Sequence, residues 1–140
     1  MIEATFKLFE EFHKILDAEH KAAYKNLGHA AASIRKAEIE SIHFGKGPST
    51  PGTAPHTHGK QFTKAHKERK GELQRAILYV LEDERAIIGP RFSVVGTSAM
   101  AHEFGGEYKG QEYPERPFAR PAVDKNLDRF AKSWEYAIGE

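Results

Sequence analysis

The apolar periodicity of the first third of the chain constrains the fold most. Phe6, Phe9, His13, Leu16, Ala23, Leu27, Ala30, Ile34, Ala37 and Ile42 recur mainly at steps of three, four and seven residues. That spacing collects side chains into one stripe of a 3.6-residue helix and leaves Lys, Glu, Asp and His for the other face. It predicts a helix over residues 4–43, within a helical segment 1–44. Ala22, Ala23, Ala30, Ala31 and Ala32 favour helix and allow close packing. Gly28 falls inside the pattern, costs about 1 kcal/mol relative to alanine, and is the expected point of a bend or break.

A stripe of this length needs cover, and the following residues do not supply it. In GKGPSTPGTAPHTHG, residues 45–59, Pro48, Pro51 and Pro55 exclude a helix or a central strand. So long a connection is uncommon inside a compact domain unless it has a task of its own. A basic run follows, and 45–72 together read as a loop or arm. Beyond it the pattern changes period. Ala76–Leu81 is β-rich and nearly continuously apolar, which predicts a strand covered on both faces. Residues 82–85 are a polar turn, and 86–89 are a return strand stopped by Pro90. RFSVVG, 91–96, adds a short third strand in this reading. TSAMAHEFGG reads as a short helix with Thr97 or Ser98 as N-cap and Gly105 as its stop. A last amphipathic helix is expected over 120–138, with Pro121 in its first turn and Ala122, Leu127, Phe130, Ala131, Trp134 and Ile138 on one face.

The expected architecture is α+β: one small antiparallel sheet packed by a long N-terminal helix and a C-terminal helix, with long extended loops. At 140 residues the chain is read as a single domain, 1–140. Its parts are the helix (1–44), the Pro/Gly-rich and basic arm (45–72), and the sheet, loop and last helix (73–140). The N-terminus lacks the apolar run of a signal peptide, and no stretch has the apolar length of a membrane span.

Composition removes several function classes. There is no cysteine, so disulfides, thiolate catalysis and zinc–thiolate sites are excluded. A net charge of +1 gives no overall pull toward nucleic acid or an anionic membrane. His56 and His58, two apart, form a candidate metal pair that His102 and Glu103 would complete, and solvated loop histidines are the simpler reading. GKGPSTPG lacks the strand–Gly-rich turn–helix context of a phosphate loop. Ser93 and Ser98 lack a nucleophile-elbow setting. No catalytic constellation emerges, no metal or other cofactor is called for, and the chain is read as a non-enzyme. Lys60, Lys64, His66, Lys67, Arg69 and Lys70 form a local basic patch able to meet phosphates. This is the alternative function: a nucleic-acid-binding module using 60–70.

One ordered set of motifs points elsewhere. AHEFGG (His102, Glu103, Phe104, Gly105) is followed by a Gly- and Tyr-containing loop. Then comes PERPFARPA (Pro114, Arg116, Pro117, Phe118, Pro121, Ala122) at the entry to the last helix. Upstream lie TPGTAPHTHGKQ and LQRAILYVLEDERAIIGP. Over residues 48–138 the chain resembles the tail-completion and head–tail joining (virion morphogenesis, tail-terminator-like) proteins of tailed bacteriophages. The basic insert 60–70 departs from that pattern. The resemblance implies a structural virion protein at the head–tail junction or tail end, assembled in the host cytoplasm. It implies a ring, commonly of six copies, that completes or terminates the tail and joins it to the head. Its partners would be itself, the tail-tube protein and a head-completion or connector protein. DNA would pass through the ring, and no membrane is involved.

A closed ring needs head-to-tail contacts. The expected contact residues are Tyr108, Tyr113, Arg116, Phe118, Arg120, Pro51 and Pro55: aromatic anchors, bidentate cations and chain stiffened before docking. The Pro/Gly loop is expected to order only on assembly. Arg116 and Phe118 also have an internal reading, which is favoured for Phe118. In it, Phe118 fills the core and Arg116 pairs with Glu103 to fix the turn before the helix.

Overall fold

The computed structural model describes residues 2–57 and 72–135, with side chains for 7–57 and 73–135. The predicted first helix is α1, Ile2–Ser41, 40 residues without a break, about 60 Å at the usual rise. Gly28 does not break it. A Cβ there would lie 3.3 Å from Leu81 Cδ1, so the missing side chain lets a strand lie close against the helix. The last carbonyls of α1 need partners from outside the helix, and its last turn holds no basic residue. Gln74 fills this role, its Nε2 donating to the carbonyls of Ile39 (3.2 Å) and Ile42 (2.6 Å).

Beyond α1 the chain pairs His43–Phe44 (β1) with His56–Thr57 (β2) in parallel, closing the Pro/Gly loop into a ring of backbone. Gly45 is required here: a Cβ would fall 2.2 Å from Nδ1 of His56, whose imidazole packs on it. Residues 45–57 are therefore tied into the fold of the single chain. Ser49, Pro55 and Thr57 are buried, and Gly52 N–H donates to the Glu115 carbonyl at 2.8 Å.

Helix α2 (Glu72–Ala76) runs into β3 (Ile77–Leu81), which turns back as β4 (Ala86–Pro90). The antiparallel register runs from Ile77↔Pro90 to Leu81↔Ala86. One face of this hairpin lies on α1, where Arg35 Nε donates to the Ile77 carbonyl at 2.8 Å. The expectation of cover on both faces fails. Leu78, Val80 and Ile87 share the outer face and are 39%, 58% and 50% exposed. The reason is architectural: α5 (Ala119–Ser133) packs along α1 and not over this face.

The third strand expected at 91–96 is instead a short helix, α3 (Phe92–Val95). The N–H groups of Val94 and Val95 both bond to the Arg91 carbonyl, curling the chain just after Pro90 despite its β-branched residues. Helix α4 (Ser98–Phe104) follows as expected and ends at Gly105, φ 62°. A side chain there would meet the Tyr113 carbonyl at 2.9 Å and Glu115 N at 3.0 Å. Thr97 stands at the N-cap but makes no capping bond. Ser98 Oγ donates back to the Val95 carbonyl at 2.7 Å. The loop that follows is itself a hairpin, β5 (Gly106–Tyr108) and β6 (Gln111–Tyr113). Lys109 (φ 52°) and Gly110 (φ 75°) turn it, the two positive φ values a tight hairpin needs.

The fold is α+β, as expected, but among the described residues the strands form three two-stranded pairs rather than one sheet. The core gathers at the C-terminal end of α1: Ile39, Ile42, Leu73, Ile77, Ala99 and Phe118. Asn26 Nδ2 reaches the Ser133 carbonyl (3.3 Å) and ties the end of α5 to the middle of α1. Ile138 and Gly139, expected to finish that helix, lie outside the described residues.

Candidate assembly surfaces

The motif residues meet in space. The last turn of α4 presents Glu103 to the start of α5. Its Oε2 accepts the N–H groups of Phe118 (2.9 Å) and Ala119 (3.0 Å), and its Oε1 accepts that of Arg120 (2.9 Å). A helix start leaves N–H groups unpaired and carries partial positive charge. Phe118 at the cap position supplies no side-chain acceptor, so a carboxylate from fifteen residues upstream does. Arg116 is buried. Its Nε donates to the Ser49 carbonyl at 2.9 Å, and its N–H donates to the His102 carbonyl at 2.6 Å. HEFGG, PERPF and the Pro/Gly loop thus form one joint.

This geometry corrects part of the expected contact set. Glu103 and Arg116 do not pair, because the carboxylate is taken up by three backbone donors. Phe118 is 2% exposed and sits in the core, so it is not an interface anchor. Arg116 and Pro55 are likewise turned into their own fold. Pro51 and Arg120 are exposed, Tyr113 is exposed, and Tyr108 is half-buried. The two tyrosine rings meet edge to face at 6.1 Å on the β5–β6 hairpin. With Thr97, Ser98 and His102 they wall a groove of about 400 Å³.

Glu38 is a feature that periodicity passed over. It is 1% exposed, its Oε2 has no partner, and Ser49 Oγ is buried without one too. Burial, and then the charge of Glu103, push the Glu38 carboxyl up to about 7. A signal existed: Ile34, Glu38 and Ile42 stand at four-residue spacing, so the acid lies on the apolar stripe.

Among the described residues several large apolar side chains are exposed, Phe92 and Phe104 included, and two groups of them share a face. One group is on the outer face of β3–β4. The other is on the N-terminal part of α1, where Leu8 (69%), Phe9, Phe12 (57%) and Ile15 are exposed. From Lys7 to Lys21 only Leu16 is even half-buried.

Lys60, Lys64, Lys67, Arg69 and Lys70, the residues of the nucleic-acid reading, lie outside the described residues, as does His58. His56 Nδ1 sits 3.0 Å from the Gly47 carbonyl. Among the described residues no three His, Asp or Glu side chains are grouped to hold a metal, and no helix is long and apolar enough to cross a membrane. Comparison with protein-family models, curated proteins and solved structures found no match to this chain.

Proposed function

We propose that the protein is a structural component of the neck or tail end of a tailed bacteriophage. Its copies form a ring that completes or terminates the tail and joins it to the head. The observation that carries this reading is the apolar surface left uncovered on α1 and on β3–β4. Contiguous exposed apolar surface marks a site of association, and these two surfaces, on different elements, suit a chain that meets a neighbour on each side. The joint formed by Glu103, Arg116 and the Pro/Gly loop supports the same reading. It fixes the β5–β6 hairpin, with Tyr108 and Tyr113, to the core as a further contact for a tail-tube or connector protein. Rigid aromatic anchors lose little entropy on docking.

The test is electron microscopy of particles made by the parent genome with this gene disrupted. Filled heads beside detached tails are expected. Detached tails of uncontrolled length assign the termination role in particular. Normal, infectious, tailed particles overturn the neck reading.

A further inference from the structure

We propose that the contact between copies is heterologous: the N-terminal stripe of α1 in one copy seats on the outer face of the β3–β4 hairpin in the next. The proposal rests on the ring reading and names its two surfaces. They cannot satisfy each other within one copy. α1 meets the inner face of the hairpin near Gly28, where Leu81 approaches it. Leu8 and Ile15 stand 20 and 13 residues earlier, roughly 20–30 Å away along the helix axis. The outer face of the hairpin points away from α1 altogether.

The two surfaces match in chemistry. Leu8, Phe12 and Ile15 follow helical spacing, with Phe9 and Leu16 beside them. Glu11 and Glu19 stand one turn either side of Ile15 on the same line, and both are exposed. The outer hairpin face holds Leu78, Val80 and Ile87. By strand alternation Arg85 and Arg91 stand at its two ends, both exposed. An apolar stripe edged by Glu11 and Glu19 therefore meets an apolar face edged by Arg91 at one end and by Arg85, beside Glu82, at the other. Arg85 already pairs with Glu82, but that pair is solvent-exposed, and such pairs hold weakly. Gly89 adds room on the same face, since nothing lies within 4 Å of where its Cβ would be. Five large helix side chains and three from the hairpin, with their charged rim, bring the contact toward the ~1,200 Å² of total area that stable association needs.

The test uses two variants of the full chain. Phe12→Asp spoils the helix stripe and Val80→Asp spoils the hairpin face. Both residues are more than half exposed, so neither change empties the core, and circular dichroism checks that each folds. By light scattering on a sizing column, wild type associates at tens of micromolar and each variant alone is a monomer. An equimolar mixture forms a one-to-one dimer, because each pair of variants retains one intact contact. A second pair, Glu11→Arg with Glu19→Arg and Arg85→Glu with Arg91→Glu, loses association separately and regains it when mixed. Wild-type association that survives both aspartate variants, or a mixture that stays monomeric, overturns this contact and leaves the ring reading standing. A wild type that stays monomeric throughout overturns the contact as well, and the gene-disruption experiment then decides the ring reading by itself.

Discussion

The carboxylate of Glu103 accepts the backbone N–H of Arg120 at 2.9 Å, so the end of α4 caps the start of α5 across seventeen residues. Two more donors, Phe118 and Ala119, share the same carboxylate. Removing it strips three N–H groups of their acceptor and the helix start of a favourable charge. Glu103→Ala is expected to cost about 2–3 kcal/mol in urea unfolding, and Glu103→Gln about 1 kcal/mol, because the amide oxygen still accepts. Equal stability of wild type and Glu103→Ala would show that the cap carries no net weight.

Arg116 joins PERPF to the Pro/Gly loop through the Ser49 carbonyl. Arg116→Ala leaves that buried acceptor unpaired and opens a gap beside the loop. We expect a loss of roughly 2–4 kcal/mol. We also expect new protease cleavage within residues 45–55 before global unfolding. Cleavage elsewhere, with the loop intact, would break the link between Arg116 and loop order.

Gly45 and the His56 ring occupy one space. Gly45→Ala forces the imidazole off Gly47 and strains the β1–β2 pair, at an expected cost of roughly 1–3 kcal/mol. Adding His56→Ala to that variant should recover part of the loss, because the clash is then gone. If the double variant is no better than the single one, the constraint lies in the backbone rather than in the ring.

The elements that sequence revealed are those whose signal is local. Phe6 to Ile42 repeat with helical spacing, and α1 runs through all of them but Ile42, which lies just past its end. Glu82–Arg85 break an apolar run, and the β3–β4 hairpin turns there. Gly105 was legible as a helix stop, and φ 62° with two close backbone atoms explains why glycine stands there. What failed depended on distant partners. Continuous apolarity in ILYVL suggested cover on both faces, but whether a second layer exists is decided by where α5 packs. Arg116 and Glu103 have matching charges, yet each satisfies backbone groups that sequence does not place beside it. For Phe118 the core reading is already the favoured one in sequence, and it sits with Ile39, Ile42 and Ile77. The proline loop reads as an arm in sequence because its tie, Gly52 to Glu115, spans more than sixty residues.

Glu38 makes a prediction about pH whose sign follows from its burial. Folded, the carboxyl holds its proton up to about pH 7; in the unfolded chain it releases it near its ordinary value of 4.5. Between those values the folded state binds more protons than the unfolded one, so stability falls as pH rises through the window and levels off above it. Below pH 4.5 both states are protonated at this site and it contributes no slope. The expected loss across the window is on the order of 3 kcal/mol, read as a falling melting temperature between pH 4.5 and 7. Glu38→Gln keeps the shape and cannot ionise. Its melting temperature should lack that contribution and exceed that of wild type at pH 8. Glu103→Gln removes the second cause and should shift the wild-type midpoint to lower pH while weakening the fold through its lost cap. An unchanged slope in Glu38→Gln would assign the pH dependence to another group and leave Glu38 as a buried acid without consequence for stability.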